Sequence, residues 1–200
     1  GVDVKWFTQK ERKLPKDLPV LSVGTFNWLP NVEAVKFLVE NVWPIVKKKL
    51  PTSKLWIVGN APTPEIFEYQ KKDTSITITG GIPDIRDAFT GAHVLVAPVF
   101  SGKGTRYKIL EAMAAGTPIV ATQLAVEGLG VEHGVQVLIG NTAKELADLT
   151  VKVLQQPELQ KKLAKNGKEF VQTQYDWEFI AQKLDSIYLK MAAQSNVHHD

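Results

Sequence analysis

The chain has 200 residues, a net charge of +3, 44% apolar residues and no cysteine, which suits one α/β domain with a real core and excludes a disulfide framework or a thiolate metal site. Its cations are scattered apart from Lys47-Lys48-Lys49 and the pairs Lys71-Lys72 and Lys161-Lys162, which read as solvated helix ends, so a nucleic-acid partner is not indicated. No apolar stretch reaches the roughly 20 residues of a membrane-crossing helix, the opening Gly1-Val2-Asp3-Val4 reads as the start of an excised domain rather than a signal peptide, and the expected setting is the cytoplasm.

In chain order, residues 1–17 are polar and read as a hinge or linker segment. A strand is predicted over 20–23, ending at Gly24. From Asn31 to about Leu50, Val32, Val35, Leu38, Val39, Val42 and Ile45 recur at helical spacing, and Pro44 inside that run is expected to kink or split the helix. A strand over 54–58 stops at Gly59-Asn60, a short helix follows over 64–70 with Pro64 in its first turn, and a strand over 76–79 ends at Gly80-Gly81. Helical turns over 84–90 lead to a strand at 93–97, a helix at 105–115 and a strand at 119–122. A further strand is expected over 135–139, then a helix capped by Asn141 or Thr142 and running to 155 or 156, a helix from Pro157 to about 173, and a last helix over 177–193.

Short strands alternating with helices imply βαβ units and a parallel sheet. The expected architecture is a doubly wound, Rossmann-like α/β domain of about six strands, with helices on both faces and a helical C-terminal extension. We divide it into a linker at 1–17, a ligand-binding domain at 18–173, and a C-terminal helix and tail at 174–200. In such sheets ligands bind at the carboxyl ends of the strands. The loops expected on that rim carry Gly24, Gly59, Gly81, Gly102 and Gly104, and Gly128 and Gly130.

The most informative stretch is Ser101-Gly-Lys-Gly-Thr-Arg-Tyr-Lys-Ile-Leu-Glu-Ala-Met-Ala-Ala-Gly116. It reads as a glycine loop feeding a helix whose N-terminus is expected at Gly104 or Thr105, with Arg106 and Lys108 in the first turns. Free amides, the positive helix end and two cations then converge on a place for an anion, most simply a phosphate. Glu111 lies about two turns in, where a carboxylate accepts hydrogen bonds from hydroxyls such as those of a ribose. A plainer reading stands beside this one: Lys108 and Glu111 form a surface ion pair three residues apart, and Arg106 caps a neighbouring loop. Glu127 reads either as lining the same pocket or as a solvated loop acid. Asn27 and Trp28 face the rim or cover a helix end. His93 and His133 read as packing and loop residues, and Trp6, Trp43, Trp56 and Trp177 as core or domain-contact residues. The His, Asp and Glu spacing suggests no metal site.

The order of elements and the run Gly-x-Gly-Thr-Arg-x-Lys-Ile-Leu-Glu-Ala-Met-Ala-x-Gly-x-Pro-Ile-Val-Ala resemble the C-terminal, donor-binding domain of retaining glycosyltransferases with the GT-B fold, the glycosyl transferases group 1 family. Gly1-Val2-Asp3 resembles the hinge that leads into that domain. The resemblance implies a nucleoside diphosphate sugar as substrate, UDP or GDP, and a separate Rossmann-like acceptor domain that faces this one across a cleft. Any peripheral membrane contact falls to that other half. It places Glu111 on the ribose hydroxyls and the base near Gly59-Asn60 and Ile82-Pro83. Gly24, Thr25, Gly59, Gly81, Ile82, Gly102, Lys103, Gly104 and Thr105 complete the expected donor site, with Glu127 at the sugar. Two departures stand out. The first glutamate of the family's Glu-x7-Glu motif falls on Lys103, and the Arg and Lys often found after the first strand are missing from Gly24-Thr-Phe-Asn-Trp-Leu-Pro30. Arg106 and Lys108 are therefore the expected catalytic cations, neutralising the departing diphosphate.

The expected function is sugar transfer to an acceptor hydroxyl, retaining and without metal or other cofactor, for which this chain supplies the donor half and is inactive without an N-terminal acceptor domain. The alternative is a non-catalytic nucleotide-sugar-binding or scaffold domain. A nicotinamide enzyme fits poorly, because Gly102-Lys-Gly-Thr-Arg-Tyr107 lacks the third glycine of that fingerprint. The apolar face of the last helix, Trp177, Ile180, Leu184, Ile187 and Tyr188, is expected to stay exposed or to meet another molecule.

Overall fold

The computed structural model of the chain describes residues 1–17, 19–102 and 106–196. Strands β1 (Pro19–Val23), β2 (Lys54–Val58), β3 (Ile76–Ile78), β4 (Val94–Ala97), β5 (Ile119–Ala121) and β6 (Leu138–Ile139) form one sheet in the order β3-β2-β1-β4-β5-β6. Every neighbouring pair is parallel. The doubly wound architecture expected from the alternation of elements is the one observed.

The pleat divides the apolar residues between two cores. Val20, Val94 and Val96 belong to one core with Leu55, Ile57 and Val120, while Leu21, Leu95 and Ala97 belong to the other with Ile119 and Ala121. The first core is covered by helices α2 (Leu29–Phe37), α3 (Trp43–Lys49), α4 (Pro64–Lys72) and α7 (Ala143–Gln155). The second is covered by α5 (Ile85–Gly91), α6 (Tyr107–Ala115) and Val171 of α8 (Pro157–Gln174). All four residues of β4 are buried, as a strand covered on both faces requires.

The structure refines several sequence expectations. Residues 1–17 open with a short helix, α1 (Val4–Thr8), whose Val4 and Phe7 join Val2 in the second core. The polar average of the segment hides these three apolar positions. Farther along, the Arg12 guanidinium donates to the carbonyl oxygens of Phe89 (3.4 Å) and Ala92 (2.7 Å) and to Thr117 Oγ1 (2.8 Å), closing the C-terminus of α5. Burial lowers its pKa to about 10. The split expected at Pro44 takes the form of a π-helical turn, Leu38–Val42, between α2 and α3. Trp43 N–H bonds back to Leu38 O, and this wider turn carries the helical path into a residue that has no N–H to give. The Trp43 side chain is buried, with Nε1 donating to Ser75 Oγ at 3.1 Å.

The strand expected over 135–139 shrinks to Leu138–Ile139, because the preceding residues fold into a tight turn in which Gly134 N–H bonds Val137 O at 2.7 Å. The cap of α7 is Thr142, in a reciprocal capping box with Glu145. The last helix, α9 (Trp177–Asn196), leaves Trp177, Leu184, Ile187 and Tyr188 exposed and Ile180 half-buried. Trp177 is thus no core residue of this chain. Among the described residues no helix is long and apolar enough to cross a membrane.

Replacing Arg12 by Ala leaves the Phe89 and Ala92 carbonyls without their guanidinium donor, a loss of about 1–3 kcal/mol. We expect a lower urea midpoint at unchanged m-value, and Arg12→Lys, which lacks the planar fork, should recover less than half of the loss.

Candidate functional site

The strand order reverses between β1 and β4, and a cavity of about 500 Å³ opens there at the carboxyl ends of the strands. Its floor is the backbone that leaves the sheet: Gly24 and Thr25 after β1, Gly59 and Asn60 after β2, Gly81 and Ile82 after β3. These loops are bonded to one another. Gly24 N–H donates to Val58 O (3.1 Å), Phe26 N–H to Asn60 O (2.9 Å) and Gly59 N–H to Gly80 O (2.8 Å). Gly59 has φ +153°, and a Cβ there would lie 1.5 Å from Gly24 O, so no other residue allows this approach.

The opposite wall is the start of α6. Arg106, Lys108 and Glu111 all line the cavity. The helix begins later than expected, at Tyr107, because Arg106 takes a non-helical backbone as its N-cap residue. One guanidinium nitrogen of Arg106 donates to Gly102 O at 3.0 Å, so the loop-capping reading and the cavity reading of this residue both hold. The surface ion pair is not among the salt bridges of the described residues, and the Lys108 ammonium donates instead to Asn31 Oδ1 at 2.8 Å. Burial, with Arg106 nearby, lowers the Lys108 pKa to about 8. Burial raises that of Glu111, against an opposing pull from Lys108.

Of the residues singled out from sequence, Gly24, Thr25, Gly59, Gly81, Ile82, Arg106, Lys108 and Glu111 meet around this one cavity. Gly102 lies beside it with φ +86°, where a Cβ would sit 2.9 Å from Pro30 Cγ. Glu127 does not line the cavity: the 3₁₀ turn Leu124–Val126 buries Ala125 and Val126, Ala125 takes a place in the wall, and Glu127 is left exposed. Lys103, Gly104 and Thr105 lie outside the described residues. His93 is at the other end of β4, with Nε2 2.9 Å from Pro15 O. Among the described residues no three His, Asp or Glu side chains group as metal ligands.

The sequence pattern does not single out Asn31 or Tyr107 for this wall, and it leaves two readings open for Trp28. Trp28 and Tyr107, both about half exposed, stand in the cavity wall. Asn31 looks like a helix cap in sequence, yet α2 begins two residues earlier with Pro30 in its first turn, which frees the Asn31 side chain. Its partner Lys108 is 77 residues away, and no local signal links them.

The chain matches the family described as Glycosyl transferases group 1 over residues 18–156. It is 30% identical over 165 residues to an uncharacterized 44.6 kDa protein in the cps region of Klebsiella pneumoniae, an alignment covering 78% of this chain and 42% of that protein. Its fold is similar to that of HepE from Anabaena, solved in complex with UDP and glucose (TM-score 0.75, 16% identity, 94% of this chain and 55% of that one). It is also similar to sucrose-phosphate synthase from Thermosynechococcus elongatus (TM-score 0.74, 25% identity, 97% and 52%). The chain thus spans less than half of the Klebsiella protein and about half of each of these two structures.

The depressed Lys108 pKa has a thermodynamic sign. Between about 8 and the ordinary value of 10.5 the unfolded chain binds more protons than the folded one, so stability rises with pH across that window and the full penalty applies below it. Lys108→Met should therefore stabilise the fold at pH 7, by about 1–2 kcal/mol once the lost Asn31 bond is set against the relieved desolvation. That corresponds to a Tm increase of roughly 2–8 °C. Thermal melts at pH 7 and pH 10 check it: the gain should shrink at the higher pH.

Proposed function

This chain belongs to the glycosyl transferases group 1 family, and from that premise we propose that its cavity binds a nucleoside diphosphate sugar, with UDP or GDP as the nucleotide, as the donor half of a glycosyltransferase. The observation that carries the reading is the meeting of Arg106, Lys108 and Glu111 in one cavity at the reversal of the strand order. The three groups sort a ligand by charge along α6. The cations at its first turn suit a diphosphate, and the carboxylate one turn further suits the paired hydroxyls of a ribose. Gly59, Asn60, Gly81 and Ile82 offer backbone and a neutral amide to a base.

Catalysis on this reading is electrostatic. As the bond between sugar and diphosphate breaks, negative charge grows on the leaving oxygens. Arg106 binds two of them at once, and Lys108 supplies a compact charge that a bound dianion keeps protonated. Donors already in place in a dry cavity are worth on the order of 3 kcal/mol each in the barrier, against roughly 0.3–1 kcal/mol for the helix end alone. The cations thereby do the work that a metal does in other phosphate sites, and we assign this chain a metal-independent, retaining transfer. We place the acceptor site in the portion of the longer relatives that this chain does not span, so the chain alone should bind donor without efficient turnover. A non-catalytic donor-binding role would give the same binding and differ only when that portion is supplied.

Calorimetric titration tests the reading. UDP or GDP should bind and NAD should not, and EDTA should leave the affinity unchanged. Glu111→Gln should weaken the nucleoside diphosphate about tenfold, as expected for a hydrogen bond that loses its charge, and should remove the preference for a ribose over a 2′-deoxyribose. An undiminished affinity in Glu111→Gln contradicts the ribose assignment. Affinity should also fall as pH rises through about 8, where Lys108 loses its proton.

A further inference from the structure

Asn31 is held by two hydrogen bonds and sits against a glycine. Its Nδ2 donates to Thr25 O at 2.9 Å, its Oδ1 accepts from Lys108 Nζ at 2.8 Å, and its Cγ lies 2.9 Å from the place a Cβ would take on Gly24. An amide flipped the other way would set a donor against an ammonium and an acceptor against a carbonyl, so the two bonds define its orientation. The missing Cβ of Gly24 leaves the room that the Asn31 amide occupies.

The rest of this face of α2 presses on the loop that leads into α6. Pro30 packs over Gly102, Glu33 accepts from Ser101 Oγ at 2.7 Å, and the Phe37 ring meets Phe100 edge-on at 4.6 Å. The helix after β1 therefore braces the loop after β4, and Asn31 carries that brace to the lysine.

The charged groups facing the Lys108 head are Arg106, which repels it, and Glu111, which attracts it from beyond ion-pair distance. The only direct partner among the described residues is neutral. A carboxylate in its place would cancel the ammonium charge. An amide fixes the position of the ammonium and leaves its charge uncancelled for a ligand in the cavity.

We propose that Asn31 is a positioning residue, which ties the Lys108 ammonium across the crevice to the loop after β1 and so aims it at the diphosphate of the donor. The aim of the ammonium rests on the donor-binding reading above, whereas the tether does not.

The test follows the Lys108 side chain by NMR in protein labelled at lysine Cε and Nζ, alongside calorimetry with UDP, GDP and the matching nucleosides. In Asn31→Ala, Lys108 should titrate at lower pH than in the parent, since the charged form loses its acceptor. The nucleoside diphosphate should bind about tenfold more weakly, and the nucleoside should bind as before. Asn31→Asp keeps the size and guards against misfolding. There Lys108 should titrate higher than in the parent, and diphosphate affinity should again fall, because the new carboxylate competes for the ammonium. Unchanged Lys108 titration in both variants overturns the tether. Equal losses for diphosphate and nucleoside overturn the aim, since the damage would then be general to the pocket. A parent protein that binds neither UDP nor GDP refutes the donor reading, and the Lys108 titrations still decide the tether.

Discussion

Strands β1 and β4 are hydrogen-bonded neighbours, but they hand the chain to helices on opposite faces of the sheet. Helix α2 leaves β1 for one face and α6 leaves β4 for the other. The two paths diverge, and neither helical layer fills the gap at the carboxyl ends of these strands. The cavity is the direct result of that divergence. Its floor is backbone because the chain turns there, and its charged wall is α6 because that helix starts at the rim. The Lys108–Asn31 hydrogen bond crosses the crevice, joining the helices that the topology pulls apart.

Two desolvated cations show how differently the fold treats charge at the two ends of its sheet. Arg12 lies by the N-terminal ends of β4 and β5, where two carbonyls and a hydroxyl take up its guanidinium. It is a structural cap, with three hydrogen bonds to the backbone and side chain of distant segments. Lys108 is buried to a similar degree at the opposite end, where its partner among the described residues is the neutral Asn31. Desolvation opposes the charge of both, yet of the two only Lys108 lines the cavity. A desolvated charge costs the fold stability, a common relation where a side chain lines a cavity.

Local patterns in the sequence were legible wherever a short stretch decides its own structure. The alternation of five-residue apolar runs with helical periodicity yields the parallel sheet, since β4 can only be a strand covered on both faces. Thr142 and Glu145 announce their capping box three residues apart. The cations before Glu111 can be read together as one cluster, because Arg106, Lys108 and Glu111 lie within one stretch of chain, and all three line the cavity. Elsewhere local reading failed for identifiable reasons. The 135–139 run is apolar enough for a strand, but the turn closed by Gly134 and Val137 consumes most of it. Residues 1–17 are polar on average, and only packing against α6 gives Val2, Val4 and Phe7 their weight. For Glu127 the sequence leaves the pocket and the solvated loop both open, and the residue is exposed after the 3₁₀ turn.

By itself the sequence determined which elements form, that they alternate into a doubly wound sheet, and that a cationic helix start with a carboxylate behind it lies on the rim. Periodicity, caps and short motifs act within a few residues, so these features need no distant partner. Only the tertiary structure decided that Lys108 bonds Asn31 and not Glu111, that Asn31 and Tyr107 join the wall, and that the loops after β1, β2 and β3 close on one another. Each of those outcomes depends on backbone segments distant in sequence meeting at hydrogen-bond distance, and that meeting is set by how the strands pair and which way the helices leave them.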